Sequence, residues 1–211
     1  VARVLAARTP LADDAVDDIV QAATRLLELA DVGGRGPRGV EARLRKKIPV
    51  AAGLGGGSAD AAATLLGVRE LLSGRDQRVD GRLSDAALGE IAAAIGSDVA
   101  FCLVGGVAWM RGRGEEIETL SVPLAEAWPV LVATPAFGLS TAAVYRAWDE
   151  LGGPTSTRGA PPPAWAAALV DSLENDLEPA AEHLAPGLRP FREALEARVG
   201  APAVLAGSGP S

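Results

Sequence analysis

The residue types best suited to chemistry lie in a glycine-rich stretch at residues 46–66, which reads KKIPVAAGLGGGSADAAATLL. Four glycines occupy positions 53, 55, 56 and 57, and the alanine-rich run after Ser58 is typical of a helix. Glycine tolerates positive φ and lets backbone N–H groups approach a ligand. Ahead of a helix these groups join the positive end of its dipole and favour an anion such as phosphate. Ser58 is predicted to cap the helix. The alternative is an ordinary turn that leads into a helix.

The stretch matches neither common nucleotide-binding fingerprint. No Gly-Lys-Ser/Thr ends it, and no GxGxxG follows a long buried strand with an acidic residue beyond. It resembles the second motif of the GHMP small-molecule kinases, Pro-x-x-x-Gly-Leu-Gly-Ser/Gly-Ser/Gly-Ser-Ala. The residues that fill this pattern are Pro49, Gly53, Leu54, Gly55, Gly56, Gly57, Ser58 and Ala59. The resemblance implies that they bind the phosphates of ATP.

A second candidate is Asp98, in the segment GSDVAF. This segment resembles the family's Gly-Ala/Ser-Asp-Val-Pro-Phe, with Ala100 in place of proline. The resemblance implies that Asp98 is the catalytic base. A carboxylate directed at a hydroxyl beside a γ-phosphate would orient the nucleophile and accept its proton. The alternative is an aspartate that bonds nearby backbone N–H groups in a turn.

Three downstream segments also resemble the family. STAAVY at 140–145 implies that Thr141 contacts substrate and that Tyr145 flanks a cytosine ring, as aromatic side chains commonly do with nucleobases. The alternative for Tyr145 is a packed core residue. NDLEP at 175–179 is interpreted as structural, with Asn or Asp capping the next helix and Glu178 in its first turn. AGSGP at 206–210 resembles the third family motif, and the residues it implies in phosphate or substrate binding are Gly207, Ser208 and Gly209.

Within the family, GLGGGSADAAATL most resembles the kinases of a cytidine-diphosphate-linked methylerythritol. This implies ATP-dependent phosphorylation of that molecule's 2-hydroxyl in non-mevalonate isoprenoid synthesis, with ATP and Mg²⁺ as cofactors. The alternatives are a homoserine- or mevalonate-type GHMP kinase, an inactive nucleotide-binding fragment, and a scaffold that binds no nucleotide. The family's first motif, which carries a catalytic lysine, is expected upstream of Val1. The last residues, 209–211, lie inside what resembles a second glycine turn, so the chain is expected to be incomplete at both ends.

Composition limits the other possibilities. The 211 residues are 48% apolar and 22% charged, which is typical of a globular protein. A net charge of −7 argues against nucleic-acid binding. One cysteine, Cys102, fits a reducing cytoplasm, and no Cys/His cluster predicts a protein metal site. No apolar run is long enough to predict a membrane span.

Lys46 and Lys47 are interpreted as solvated residues, although they could hold a triphosphate. The expected assembly is a monomer or homodimer.

The predicted fold class is α+β. The resemblance implies a two-domain GHMP kinase fold, truncated, with a ribosomal-protein-S5-like N-terminal domain (1–125) and a ferredoxin-like C-terminal domain (126–211). Apolar periodicity predicts helices from Asp13, from Ser58 to Leu72 and from Ser84 to Ile95. The remaining predictions are strands at 40–50, 99–110, 130–133 and 201–206, a return strand before 120, and helices at 140–151, 163–173 and 176–198.

Overall fold

The computed structural model describes residues 2–6, 13–31, 34, 39–49, 52–73, 77–120, 130–153 and 173–209. The chain divides into two compact units. The first combines Val1–Lys47 with Gly55–Leu120, and the second combines Ile48–Leu54 with Ser121–Ser211. Each unit has its own apolar core. Helices and two small sheets together make an α+β protein, as predicted.

In its described residues, the first unit contains helices and two strand pairs. Its elements are β1 (Ala2–Ala6), α1 (Asp13–Ala30), β2 (Val40–Leu44), α2 (Gly56–Leu72), α3 (Gln77–Asp80), α4 (Asp85–Ile95), α5 (Val99–Val104), β3 (Ala108–Arg111) and β4 (Glu116–Thr119). Strands β1 and β2 are parallel, with Ala2 opposite Val40. Strands β3 and β4 form an antiparallel pair, with Ala108 opposite Thr119.

The core of the first unit lies between α1, α2, α4 and α5. The apolar stripe predicted for α1 is confirmed, because Leu26 is fully buried and its neighbours at helical spacing are buried with it. Helix α2 contributes Leu65 and the small side chains of Ala61 and Ala62. Small residues on one face let neighbouring helices approach closely. The alanine-rich face of α2 therefore packs into the core of the first unit.

The second unit contains three described helices: α6 (Thr141–Glu150), α7 (Glu178–Leu184) and α8 (Leu188–Val199). Ser140 caps α6, since its hydroxyl accepts a hydrogen bond from the Ala143 N–H. A small core connects these helices to the segment near residue 205. Its buried members are Leu139, Val144, Ala147, Ala180, Ala181, Leu188 and Leu205.

Several predicted strands are wrong. Residues 99–104 form α5, and only 108–110 of the predicted 99–110 strand belong to a strand, β3. A short apolar run does not distinguish strand from helix, and here Gly105, at φ 70°, ends a helix. The predicted buried strand at 130–133 is neither buried nor a strand, because Val130 is 80% exposed and the described segment pairs with no other strand. Residues 201–206 also form no strand.

The other differences concern boundaries. The predicted strand at 40–50 ends at Leu44. The helix predicted at 176–198 is divided in two by residues 185–187, where Pro186 and Gly187 interrupt it. The predicted helix at 163–173 lies outside the described residues except for its last position, which is not helical. The predicted domain boundary at 125/126 also lies outside them and stays a prediction.

Candidate active site

Helix α2 has no side-chain cap from the residue at its capping position. Gly55 occupies the capping position at φ 62° and ψ 20°, and the helix starts at Gly56. The Ala59 N–H donates to the Gly55 carbonyl at 2.9 Å, so the amides of the three residues between them precede the first intrahelical bond. The first turn contains no acidic residue. The prediction that Ser58 caps the helix is wrong, because Ser58 lies inside the first turn.

Two polar contacts flank this helix within the same unit. Lys46, which follows β2, forms an ion pair with Asp60 in the second turn of α2. The Lys46 side chain is only 10% exposed, so its interpretation as a solvated residue is wrong, whereas Lys47 is exposed as expected. A Cβ at Gly57 would lie 3.4 Å from a carboxylate oxygen of Asp18, on α1. The start of α2 is therefore held in place by β2 and α1.

In the second unit, the glycine turn at 206–209 contacts Gly53 backbone to backbone. Gly53 has φ 72°, and a Cβ there would lie 2.1 Å from the Ala206 carbonyl oxygen and 2.8 Å from the Gly209 nitrogen. Reciprocally, a Cβ at Gly207, at φ 55°, would lie 2.8 Å from the Gly53 carbonyl oxygen. Only glycine combines this backbone conformation with this separation. The structure thus brings together residues of two motifs that are about 150 positions apart in the sequence.

The side chain of Asn175 holds the same turn. Its Nδ2 donates to the carbonyl oxygens of Leu205 at 2.7 Å and Gly207 at 2.6 Å. Its Oδ1 accepts from the Leu177 N–H at 2.9 Å, just before α7. Asn175 is therefore structural, as interpreted, but it does not occupy the capping position of α7, which is Leu177. Glu178 lies in the first turn of this helix, as predicted. The contact of its amide group with the glycine turn has no signal in the sequence.

A charged cluster at α7 and α8 fixes the strand-like segment before the turn. Glu178 accepts from the Leu205 N–H at 3.3 Å, and Glu196 accepts from the Ala203 N–H at 3.0 Å. Arg192 pairs with Glu178 at 3.0 Å and with Glu196 at 3.3 Å. Burial alone would lower the pKa of the Arg192 guanidinium, but the surrounding carboxylates outweigh it and raise this pKa. Arg192 therefore stays charged.

The remaining predicted residues of the second unit lie near α6. The hydroxyl groups of Thr141 and Ser208 are 2.8 Å apart, so the structure brings these two predicted substrate residues together. Ser208 is 8% exposed, whereas Thr141 is exposed. Tyr145 is 52% exposed, which excludes the alternative of a core residue.

Asp98 occupies the capping position of α5, a helix that packs against α2. Its exposed carboxylate makes no capping hydrogen bond, which removes the alternative of a turn-forming aspartate. The preceding residue is fixed by the β3–β4 turn, because a Cβ at Gly114 would lie 2.5 Å from the Ser97 carbonyl oxygen. Burial raises the pKa of the nearby Cys102 thiol, and the negative charge of Asp98 raises it further.

The other predicted loop residues differ in exposure. Pro49 is exposed, while Leu54 is half-buried. The described residues contain no group of three His, Cys, Asp or Glu side chains that could hold a metal ion. Over the same ranges, no helix has the length and apolar character required to cross a membrane.

Comparison with known proteins agrees with the predicted family. Residues 18–106 match the GHMP kinases N terminal domain. The chain is 46% identical to the 4-diphosphocytidyl-2-C-methyl-D-erythritol kinase of Moorella thermoacetica over 82% of this chain and 60% of that protein. It is 39% identical to the kinase of the same name from Cutibacterium acnes, over 95% of this chain and 66% of that protein.

A solved structure supports the same assignment. The crystal structure of 4-(cytidine 5'-diphospho)-2C-methyl-D-erythritol kinase matches with a TM-score of 0.67 and 32% identity, over 99% of this chain and 70% of that one. The chain spans somewhat less than two thirds of the length of the curated relatives named above. On the shared N-terminal domain, the sequence identity and the fold, the chain belongs to the GHMP kinase family.

Proposed function

We propose that the protein containing this chain transfers the γ-phosphate of ATP to the 2-hydroxyl of 4-diphosphocytidyl-2-C-methyl-D-erythritol. The observation that carries the proposal is the uncapped start of α2, directly after the glycines at positions 53 and 55. Three backbone N–H groups without intrahelical acceptors suit the phosphates of ATP. The names of the relatives supply the acceptor alcohol.

In this proposal the loop from Pro49 to Ala59 binds the ATP phosphates through its backbone. The amides of Gly56, Gly57 and Ser58 would stabilise the charge that develops on the transferred phosphoryl group. Positive φ at Gly53 and Gly55 lets the chain turn into the helix without side chains between the amides and the nucleotide.

Asp98 is the proposed base. It would accept the proton of the acceptor hydroxyl as that oxygen attacks the γ-phosphorus, while ADP leaves with the bridging oxygen. Support comes from its exposure and from the absence of a capping bond, which leaves both carboxylate oxygens available.

The proposed substrate-binding residues are Thr141, Tyr145 and those of the glycine turn. The exposed ring of Tyr145 suits stacking on cytosine, and such stacking contributes about 1–3 kcal/mol per base. The paired hydroxyls of Thr141 and Ser208 offer a donor and an acceptor to a hydroxyl or phosphate of the acceptor molecule, and Gly207 and Gly209 offer backbone groups.

The described residues do not form a preorganised Mg²⁺ site, since no three potential ligands cluster. We therefore propose that any Mg²⁺ binds chiefly through the nucleotide phosphates, as is common for this ion. A cytoplasmic location and a monomeric or homodimeric state remain proposals from the sequence.

The test is a coupled assay of ADP release by the complete protein, supplied with ATP and one acceptor alcohol at a time. We expect turnover with 4-diphosphocytidyl-2-C-methyl-D-erythritol and none with homoserine or mevalonate. Turnover with homoserine or mevalonate would instead identify the protein as another kind of GHMP kinase. ATP binding without transfer to any acceptor would indicate an inactive nucleotide-binding protein.

The role of Asp98 has its own test. Asp98→Asn should lower kcat by about 10²–10⁴-fold, the usual contribution of general base catalysis, with nearly unchanged affinity for ATP. The control is Glu90→Gln, which removes an equal charge from an exposed position on α4 and should leave kcat unchanged. Wild-type kcat in Asp98→Asn would remove this residue from the mechanism.

A further inference from the structure

We infer that Asn175 is a positioning residue for the ATP-binding loop, acting through the glycine turn at 206–209. The inference rests on the proposed function for its link to ATP. It assigns a mechanistic consequence to a side chain that sequence patterns indicate only as a helix cap. Asn175 and Gly53 both belong to the second unit.

Both the nitrogen and the oxygen of the Asn175 carboxamide form hydrogen bonds. One Nδ2 group donates to two carbonyl oxygens, those of Leu205 and Gly207, and Oδ1 accepts from the Leu177 N–H. A carboxamide offers two donors together with an acceptor, which neither a carboxylate nor a hydroxyl supplies. Two carbonyls separated by one residue are thereby directed toward the same nitrogen, which sets the curvature of the chain as it enters the turn.

The second step is the support of the same segment from the other side. Glu178 and Glu196 accept the N–H groups of Leu205 and Ala203, and Arg192 pairs with both carboxylates. Residues 203–207 are therefore held through their N–H groups by charged side chains and through their carbonyls by Asn175. The N–H contacts hold residues 203 and 205 before the turn, whereas Asn175 holds Gly207 within the turn through its carbonyl.

The third step is the close approach of the turn to Gly53. The hypothetical Cβ atoms at Gly53 and Gly207 would each lie within 3 Å of a backbone oxygen of the opposite segment. Both residues are glycines whose backbones are in direct contact, so no side chain lies between them to absorb a displacement. A shift of a few tenths of an ångström at Gly207 must therefore be followed by Gly53, three residues before the first residue of α2 along the chain.

The experiment compares the wild-type complete protein with Asn175→Asp. This variant keeps the size and the acceptor for Leu177, but it directs a carboxylate at two carbonyl oxygens. We expect the KM for ATP to rise about tenfold, which corresponds to about 1.4 kcal/mol, with kcat changed less than about threefold. We also expect faster amide hydrogen exchange in the peptide that covers residues 52–58.

A second variant perturbs the same contact from the turn. Gly207→Ala places a methyl group 2.8 Å from the Gly53 carbonyl oxygen. Its matched control is Gly200→Ala, which has a similar positive φ of 71° but open space around the new methyl group. The control should lose stability without a change in the KM for ATP. Combined with Asn175→Asp, Gly207→Ala should add less than its separate effect, since both act on one turn.

The outcomes separate the inference from the proposed function. If the wild-type protein turns over ATP and Asn175→Asp changes neither the KM nor the exchange of residues 52–58, the inference is overturned and the function stands. If the wild-type protein binds no nucleotide, the proposed function fails, and the exchange measurement still decides whether Asn175 positions the loop. Fully additive effects of the two substitutions would also contradict the inference.

Discussion

Replacement of Gly53 by alanine tests the close approach of the two glycine segments most directly. The new methyl carbon would lie 2.1 Å from the Ala206 carbonyl oxygen, so the two segments must separate by roughly 1 Å to accommodate it. Left-handed φ costs about 1–2 kcal/mol for a residue with a Cβ, and overpacking costs about 1–3 kcal/mol. Together these effects amount to about 2–5 kcal/mol.

We expect the loop to move rather than the unit to unfold, because separating the loop from the turn breaks few contacts of the buried cores. Even the lower value, about 2 kcal/mol, corresponds to about a 30-fold loss of affinity if ATP binding requires the native loop. The assay is isothermal titration calorimetry of the complete protein with a non-hydrolysable ATP analogue, accompanied by circular dichroism to verify folding.

Gly67→Ala is the matched control. Gly67 lies inside α2, and a Cβ there meets nothing within 4 Å. Because alanine favours a helix over glycine, this variant should gain about 0.5–1 kcal/mol in stability and keep its affinity for ATP. A folded Gly53→Ala protein that binds the analogue within threefold of the wild type would refute the reasoning, since the loop would then tolerate separation from the turn.

Three further predictions concern single contacts. Cys102 should react with iodoacetamide more slowly than a free thiol at pH 8, because the pKa of its thiol is raised. Asp98→Asn should accelerate the reaction, because it removes a charge that disfavours the thiolate. An unchanged rate would mean that the Asp98 carboxylate lies too far from the thiol to affect it. Tyr145→Ala should raise the KM for the cytidine substrate about tenfold without lowering the melting temperature, whereas Tyr145→Phe should behave as the wild type; equal effects of both would exclude stacking. Lys46→Met should destabilise the protein by up to about 3 kcal/mol in urea unfolding, because it leaves Asp60 without its ion-pair partner. Adding Asp60→Asn should recover part of this loss. Additive destabilisation by the two substitutions would contradict the prediction.

The sequence predicts helices better than strands in this chain. Helix α1 follows a regular apolar stripe, and helices α4 and α6 begin within one residue of the predicted starts, after Ser84 and Ser140. The run at 99–104 contains too few residues to show a period, so its helical form depends on packing against α2 and α4. The apolar residues at 130–132 suggest a buried strand, but burial depends on partners that a local pattern does not contain.

For the candidate site, sequence motifs identify the glycine segments but not their contact. The proximity of Gly53 and Gly207 follows from tertiary structure, because neither segment contains any local signal for the other. The capping position has a local cause. Positive φ at Gly55 starts the helix at Gly56, so Gly55 and not Ser58 is the capping residue. The carboxamide contacts of Asn175 depend on the path of residues 203–207, which the pattern NDLE does not encode.

The uncapped N-terminus of α2 has a thermodynamic consequence. A helix that lacks a side-chain cap forgoes about 1 kcal/mol of stabilisation that serine or aspartate would provide there. A bound phosphate would accept hydrogen bonds from the amides of the first turn, so occupancy and folding stability become linked quantities. The melting temperature should then rise with the logarithm of nucleotide concentration above the dissociation constant, and a cell rich in ATP would itself help to keep the first unit folded.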